Sequence, residues 1–153
     1  MTRVPQIAFD RIKQYEGLRL EAYKDTNGTW TIGYGTTAAA EVGIEPKKGM
    51  TITPDQADFY LFQGVVRFAE KLAPLIKVPV TDNELAACLS LAYNIGPTAF
   101  KSSTVLRELN MGHRKEAAAA FVRWNKETIG GVKVVNKGLT KRRESESALF
   151  LKH

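Results

Sequence analysis

The chain of 153 residues contains little of what disulfide or metal chemistry requires: one cysteine, Cys88, and two histidines, His113 and His153. A single cysteine excludes an intramolecular disulfide. Because the histidines lie far from each other and from Cys88, no cluster of zinc ligands is predicted. Cys88 lies in an apolar stretch, so we expect a buried, unreactive thiol.

Long hydrophobic runs are also missing. No apolar run approaches the roughly 18 residues that span a bilayer, and residues 1–6 lack the apolar core of a secretory signal. We therefore expect a soluble chain with no stable membrane insertion and no signal for its own export.

The composition is that of a globular protein, with 44% hydrophobic and 25% charged residues. The length suits one domain, 1–153, which can have two lobes. The net charge of +6, from 22 Lys and Arg against 16 Asp and Glu, favours encounters with anionic polymers such as nucleic acid, anionic lipid or the bacterial envelope. No helix-turn-helix or RNA-binding motif accompanies this charge, so no nucleic-acid partner is predicted.

The first third of the chain predicts one helix followed by a small sheet. Apolar spacing predicts a helix from Ile7 to Glu16 that ends before Gly17. Residues 18–36 read as short strands joined by the turn Asn27-Gly28, and residues 38–52 read as loop.

The remainder predicts helices only. Capping boxes at Thr53 and Thr81 each open a helix, the first running to about Leu72. The further segments expected to be helical are Ser102 or Ser103 to Gly112, Arg114–Trp124 and Leu139–Leu151, with Gly130-Gly131 as a break. The prediction is an α+β fold. A β lobe of about 18–52 and a helical lobe of about 74–153 plus the N-terminal helix are joined by the helix from Thr53, with a cleft between them.

Glu16, Asp25 and Thr31 are the candidate catalytic residues. They lie around a predicted helix end and a tight hairpin that continues into Thr31-Ile32-Gly33-Tyr34-Gly35. Two carboxyl groups, one protonated and one ionised, are what cleavage of a glycosidic bond requires. Taken singly, each residue is more typical of an ordinary helix end, turn or strand, so the prediction depends on their combination.

Position distinguishes the two carboxyl groups. Glu16 is expected at a helix C-terminus, where the dipole disfavours negative charge, and beside apolar groups of the helix–sheet junction, which also favour its protonated form. Asp25 is expected in a polar turn and therefore ionised, able to orient or deprotonate a water. Thr31 can supply only a neutral hydroxyl that positions that water or holds Asp25.

These motifs, with several others in the same order, resemble the phage-type lysozymes of glycoside hydrolase family 24. The other matching segments are Ala92-Tyr93-Asn94-Ile95-Gly96 followed by Phe100, Ser103-Thr104-Val105-Leu106, Phe121-Val122-Arg123-Trp124, and Gly138-Leu139-Thr140-Lys141-Arg142-Arg143-Glu144-Ser145-Glu146. The resemblance implies a lysozyme-like fold and a bacteriolytic muramidase that inverts the anomeric carbon. It also implies peptidoglycan as substrate and no cofactor.

By this resemblance Glu16 is the general acid, Asp25 the second acidic group and Thr31 the hydroxyl that positions water. The positions matching sugar contacts of the family are Thr37, Tyr93, Asn94 and Ser103. Some members of the family begin with an apolar membrane-arresting segment, which residues 1–6 do not resemble. We therefore expect a protein made in the host cytoplasm that reaches the cell wall through a membrane lesion made by a separate holin, and a monomer is the default expectation.

Two questions stay open from the sequence. Either Arg142 or Arg143 can reach Glu16 as its partner, or both form an exposed basic helix face. Tyr93, Phe100 and Trp124 can stack on sugars, although Phe100 and Trp124 are more typical of the core.

Two alternative functions also remain. One is a non-enzymatic envelope binder that acts through the cationic helix around 137–152, although Glu144 and Glu146 weaken that interpretation. The other is a lytic transglycosylase, which needs the acid but neither Asp25 nor an added water.

Overall fold

A computed structural model describes residues 2–153. The described residues form seven α-helices and two antiparallel hairpins. The helices are α1 Gln6–Glu16, α2 Pro54–Leu72, α3 Asp82–Ile95, α4 Pro97–Lys101, α5 Thr104–Asn110, α6 Arg114–Ala120 and α7 Lys137–Leu151. The strands are β1 Arg19–Lys24, β2 Trp30–Gly33, β3 Lys126–Ile129 and β4 Val132–Val135, and short 3₁₀ turns cover Ala38–Ala40 and Phe121–Trp124.

The first hairpin and the following loop form the smaller lobe. β1 pairs with β2 so that Tyr23 lies opposite Thr31. The returning loop adds a further edge, because Glu21 bridges to Thr51 and the Ile52 amide donates to the Leu20 carbonyl at 2.9 Å. The small sheet therefore continues through this loop to Ile52.

Helix α2 connects this lobe with the helical one. It opens with the expected capping box: the Thr53 hydroxyl accepts from the Gln56 amide, and the Gln56 side chain accepts from the Thr53 amide. The helix packs against β2 on one side and against α3 on the other. The predicted α+β arrangement with a long joining helix is confirmed.

Helix α3 is the centre of the helical lobe, with α1, α2 and α7 packed around it. Its residues 86–92 are all buried, and their side chains are small or apolar except for Ser90, which is polar and hydrogen-bonded to Glu146. Cys88 lies among them with no exposed surface, and burial raises the pKa of its thiol above the ordinary value. A thiol kept protonated and enclosed is unreactive, as its apolar neighbours predicted.

The second hairpin corrects the prediction of an all-helical C-terminal half. β3 and β4 pair in register across Gly130-Gly131, where both glycines have positive φ, +56° and +80°. Two-residue turns of this kind favour glycine because both central residues need positive φ. β4 is exposed along its whole length. Because β4 has no buried face, its sequence lacks the polar–apolar alternation by which a strand is usually predicted. The glycine pair and the β-branched residues beside it were the features that indicated a hairpin.

Two helix boundaries and one short helix also differ from the prediction. The segment Arg114–Trp124 is α-helical only to Ala120 and continues as a 3₁₀ turn. Helix α7 begins at Lys137, two residues before Leu139, because the Asn136 side chain accepts from the Leu139 amide and caps it. The short helix α4 was not predicted.

Within residues 2–153, no helix is both long and apolar enough to cross a bilayer. The same residues contain no group of three or more His, Cys, Asp or Glu side chains arranged to hold a metal ion.

Candidate active site

Glu16 is the last residue of α1, at the point where the chain turns towards the first hairpin. Gly17 makes the turn with φ +69°, and its amide donates to the Lys13 carbonyl at 3.0 Å. Glycine suits this position because a positive φ carries no side-chain penalty there. The Glu16 side chain is 17% exposed, so its carboxyl group is largely enclosed yet reachable.

The first hairpin positions Asp25 and Thr31. The Asp25 Oδ1 atom accepts hydrogen bonds from the Asn27 amide at 2.8 Å and the Thr29 amide at 2.9 Å, which fixes the carboxylate at the turn. The Thr31 hydroxyl donates to the Thr29 carbonyl at 3.0 Å, and the residue is buried.

Glu16, Asp25 and Thr31 line one cleft of about 510 Å³. Of the expected sugar-contacting residues, Thr37, Tyr93 and Asn94 also line it. Ser103 does not: its hydroxyl is buried, caps α5 by accepting from the Leu106 amide, and donates to the Phe100 carbonyl at 2.7 Å. The structure thus brings six of the seven predicted catalytic and sugar-contacting residues to one cavity, which neither Arg142 nor Arg143 lines.

Gly35 brings the glycine-rich turn against the acid. A Cβ atom at this position would lie 2.6 Å from Glu16 Oε1, and the backbone has φ +75°. Any side chain there would therefore displace the carboxyl group and strain the turn. The close approach of Gly35 to Glu16 therefore explains why a glycine occupies this position.

Arg142 is the partner of Glu16, which decides between the two arginines left open by the sequence. Its Nη1 atom donates to Glu16 Oε2 at 2.7 Å, and its guanidinium group lies 5.0 Å from the centre of the Tyr15 ring. The sequence predicted apolar surroundings for Glu16 at the helix–sheet junction. The structure corrects this, because a guanidinium group contacts the carboxyl group.

A buried carboxylate, Glu146, links the two arginines. Its Oε2 atom lies 3.3 Å from Arg142 Nε and accepts from the Ser90 hydroxyl at 2.5 Å. Its other oxygen accepts from Arg143, and both Glu146 and Arg143 are fully buried. Burial lowers the pKa of Arg143 from its ordinary value, while Glu146 opposes that shift.

Arg143 does not line the cleft but contacts Asn94, which does. Its Nη2 atom donates to the Asn94 side chain, and its Nε donates to the Trp124 carbonyl at 2.8 Å. Asn94 is therefore held at the cleft by a hydrogen bond from the same buried network that holds Arg142 and Glu16.

Tyr93 and Tyr23 form part of the cleft wall. The Tyr93 hydroxyl donates to the Tyr34 carbonyl at 2.6 Å. Burial raises the pKa of Tyr93, and the negative charge of Glu16 adds to this rise. The same two causes raise the pKa of Tyr23. Both rings are thus uncharged hydrogen-bonding surfaces at neutral pH.

Sequence reasoning missed the contribution of α2 to this cleft. Arg67, Phe68 and Lys71 line it opposite the hairpin. Their spacing, i, i+1 and i+4, places them on one side of the helix. This spacing was the feature of the sequence from which their common position could have been predicted. Of the other aromatic candidates, Phe100 is fully buried in the core, whereas Trp124 is half-buried and lines a neighbouring cavity.

The chain is similar to known proteins over nearly its whole length. The model of the phage lysozyme family matches residues 13–146. The endolysin of Acyrthosiphon pisum secondary endosymbiont phage 1 is 43% identical over 139 residues, 91% of this chain and 91% of that protein. The solved endolysin from Escherichia coli O157:H7 phage FAHEc1 has a TM-score of 0.88 and 43% identity, covering 97% of this chain and 93% of that one.

A further solved structure is the muramidase domain of SpmX from Asticaccaulis excentricus. It has a TM-score of 0.89 at 34% identity and covers 100% of both chains. The family match and these similarities extend over nearly the whole chain and include the cleft residues described above. The chain therefore belongs to the phage lysozyme family, the bacteriolytic muramidases of phages.

Proposed function

We propose that this protein hydrolyses the β-1,4 bond between N-acetylmuramic acid and N-acetylglucosamine in peptidoglycan, with inversion at the anomeric carbon. The observation that carries the proposal is the placement of Glu16, Asp25 and Thr31 in one cleft. An inverting hydrolase needs an acid on one side of the bond and an activated water on the other.

Glu16 is the general acid in this proposal. Arg142 donates to Oε2, so Oε1 is the oxygen left to carry the proton to the leaving group. Glu146 also contacts Arg142, so the guanidinium group is shared between two carboxyl groups.

Asp25 and Thr31 act on the attacking water. Asp25 is held through Oδ1 alone, and its Oδ2 atom has no hydrogen-bond partner among residues 2–153. That oxygen is available to accept a proton from water. The Thr31 hydroxyl donates its hydrogen to the Thr29 carbonyl, so its lone pairs are free to accept a hydrogen bond from the same water.

Thr37, Tyr93 and Asn94 are proposed sugar contacts because they line the cleft. The cationic-helix alternative has less support, because Arg142 and Arg143 are buried in ion pairs rather than presented on the surface of α7. The transglycosylase alternative leaves the hairpin carboxylate and hydroxyl without a role.

The testing experiment compares turbidity loss of purified peptidoglycan by wild type, Glu16→Gln and Asp25→Asn at matched circular dichroism. Glu70→Gln, on the exposed face of α2, is the control. We expect loss of clearing in the first two variants and wild-type clearing in the control. Equal clearing by Glu16→Gln would overturn the glycosidase assignment.

Product analysis tests the reaction type. Hydrolysis with inversion yields a reducing end that forms first as the α-anomer, which proton NMR resolves before mutarotation. An anhydro product instead would establish a transglycosylase.

We also propose that residues 1–153 act as a single catalytic domain and as a monomer made in the host cytoplasm, released to the wall by a separate holin. Expression in a bacterial host with and without a holin tests the release step. Lysis only when both are present would support it, and prompt lysis by this protein alone would contradict it. Sedimentation of the purified protein tests the monomer.

A further inference from the structure

The second hairpin, β3 and β4, presents a group of exposed apolar side chains. Ile129, Val132, Val134 and Val135 are 57%, 62%, 41% and 58% exposed. Every residue from Thr128 to Val135 is exposed, so this end of the hairpin lies in solvent. Apolar side chains grouped in this way mark surfaces that bind a partner.

The register of the hairpin places most of these apolar side chains on one face. Ile129 pairs with Val132 beside the turn, and Val134 follows two residues later on β4. Because alternate residues of a strand point to the same face, these three side chains share a face. The opposite face carries Thr128 and Lys133, which pair with each other. The end of the hairpin is therefore amphipathic.

The exposed charge around this apolar face is positive. Residues 126–141 contain four lysines and one glutamate, Glu127. Glu127 is half-buried and lines the neighbouring cavity of about 860 Å³. The four lysines are all exposed, and none forms an ion pair among residues 2–153. They are Lys126, Lys133, Lys137 and Lys141.

An anionic lipid surface would use both features of the hairpin at once. Its headgroups attract lysines, and its interfacial region takes apolar side chains out of water. The long lysine side chains let the ammonium groups stay among the headgroups while the apolar face enters the interface. A hydrated anionic polymer would use the lysines but would leave Ile129 and Val132 in water.

A second copy of this chain is a less suitable partner. Two hairpins packed by their apolar faces bring the lysines of both copies together, and like charges across an interface oppose association. Lys133, in the middle of β4, also protects the free edge of this strand, because an edge lysine disfavours strand pairing. The combination of an apolar face with unpaired lysines therefore favours lipid.

We propose that the β3–β4 hairpin docks this protein reversibly on anionic phospholipid membranes, with its apolar face in the interface and its lysines bound to the headgroups. Docking needs no membrane-spanning segment, because an amphipathic surface with basic residues beside it binds in the plane of the interface. It involves neither Glu16 nor Asp25, and so it does not depend on the reaction that takes place in the cleft.

The test measures co-sedimentation of the purified protein with vesicles of equal parts phosphatidylglycerol and phosphatidylethanolamine, and with vesicles of phosphatidylcholine alone. Wild type should bind the anionic vesicles, and added salt should weaken that binding. Ile129→Thr combined with Val132→Thr should weaken it roughly tenfold, since threonine keeps the β-branched shape but loses apolar surface. Lys133→Gln combined with Lys137→Gln should weaken it roughly 25-fold, about fivefold for each lysine.

The matched controls change exposed residues away from the hairpin. Met111→Gln combined with Leu151→Gln replaces apolar side chains that are 53% and 47% exposed. Lys115→Gln combined with Lys152→Gln removes two exposed lysines and changes the net charge by the same amount as the hairpin variant. Both controls should bind the anionic vesicles more tightly than the hairpin variants. An equal fall in controls and hairpin variants would overturn the proposal, as would equal binding of wild type to both kinds of vesicle.

Two other outcomes would assign the hairpin to a different partner and also overturn the proposal. Ile129 and Val132 line neither cavity, so their threonine variant should clear lipid-free peptidoglycan like wild type. Slower clearing with unchanged vesicle binding would assign the hairpin to the glycan. A dimer in sedimentation that this variant loses, with vesicle binding unchanged, would assign it to a second copy. Circular dichroism and urea denaturation establish that the variants keep the fold.

A fluorescent label locates the contact with lipid. Cys88 is the only cysteine and is buried, so Val132→Cys can be labelled selectively with an environment-sensitive fluorophore. Its emission should shift to shorter wavelength when anionic vesicles are added, whereas the same label on Lys115→Cys should show no shift. An unchanged emission at position 132, or an equal shift at both positions, would contradict docking through the hairpin.

Discussion

Arg142 donates to Glu16 Oε2 at 2.7 Å across 126 positions of the sequence. The contact joins the end of α1 to α7, and the Tyr15 ring lies against the guanidinium group. The position of the proposed acid is thus set by how the C-terminal helix docks, and not only by the local turn at Gly17.

Arg142→Lys should lower kcat on purified peptidoglycan by roughly 10- to 100-fold, the range expected when a catalytic group is misplaced by about 1 Å. Lysine keeps the charge but loses the planar fork that reaches Glu16, Glu146 and the Ser90 carbonyl at once. KM should change little, because Arg142 does not itself recognise the sugar in the proposed mechanism.

Arg107→Lys is the matched control, since Arg107 is exposed on α5 and only loosely paired with Glu108 at 4.0 Å. Full activity in Arg142→Lys would show that Glu16 needs no positioning from α7.

Gly35→Ala should reduce activity far more than its effect on stability explains. The new Cβ would lie 2.6 Å from Glu16 Oε1 and would push the carboxyl group out of place. Gly112→Ala is the control: Gly112 has φ +78°, close to the +75° of Gly35, but a Cβ atom there would meet no other atom within 4 Å. Both variants should lose about 1 kcal/mol from backbone strain.

The readouts are the free energy of unfolding in urea and the rate of peptidoglycan cleavage. If the two variants lose activity equally, contact of Gly35 with the acid has no functional importance.

The sequence predicted local features of this fold well where side chains report directly on the backbone. The capping boxes at Thr53 and Thr81 begin helices α2 and α3 as expected. The Asn27-Gly28 turn lies between β1 and β2. The comparisons confirm the family and the α+β lysozyme-like fold that the motifs indicated, while the catalytic roles of Glu16, Asp25 and Thr31 remain predictions.

Features that depend on packing between distant segments were not predictable from periodicity. Arg142 and Arg143 are adjacent in sequence and chemically alike, yet only the docking of α7 on α3 directs one to Glu16 and the other to Asn94. In the sequence, Glu146 resembles the other charged residues of a polar helix, but it is fully buried. Its charge is compensated there by Arg142 and Arg143, which are buried with it.

Glu146→Gln should lower the free energy of unfolding by about 3 kcal/mol, the low end for breaking a buried ion pair. Two buried arginines would lose their counter-charge, although the Gln oxygen can still accept a hydrogen bond. Activity should fall as well, because Arg142 would no longer be held towards Glu16.

The control is Glu144→Gln, an exposed carboxylate on the same helix, which should change stability by less than about 0.5 kcal/mol. Chemical denaturation measures both variants. A loss for Glu146→Gln no larger than that of the control would mean that the buried network contributes nothing to stability.

Tyr93 should make the protein lose stability in alkali. Burial raises the pKa of Tyr93, and the charge of Glu16 adds to the rise, so the native state keeps the phenol proton at pH values where the unfolded chain has lost it. The unfolded state then binds fewer protons, and the free energy of unfolding decreases with pH. The decrease begins near pH 10, about the value for an unfolded tyrosine, and is absent at neutral pH.

Tyr93→Phe removes this ionisation and should make the decrease above about pH 10 less steep, while the raised pKa values of Tyr23 and Cys88 maintain the rest of it. At neutral pH the same variant should be less stable by about 1 kcal/mol, since it loses the hydrogen bond to the Tyr34 carbonyl. Tyr60→Phe, outside the cleft on α2, is the control and should keep the alkaline loss that Tyr93 causes. Urea denaturation at pH 7 and at steps from pH 9 to 11 measures the slopes. A Tyr93→Phe slope equal to that of wild type would show that the buried phenol does not cause the alkaline loss.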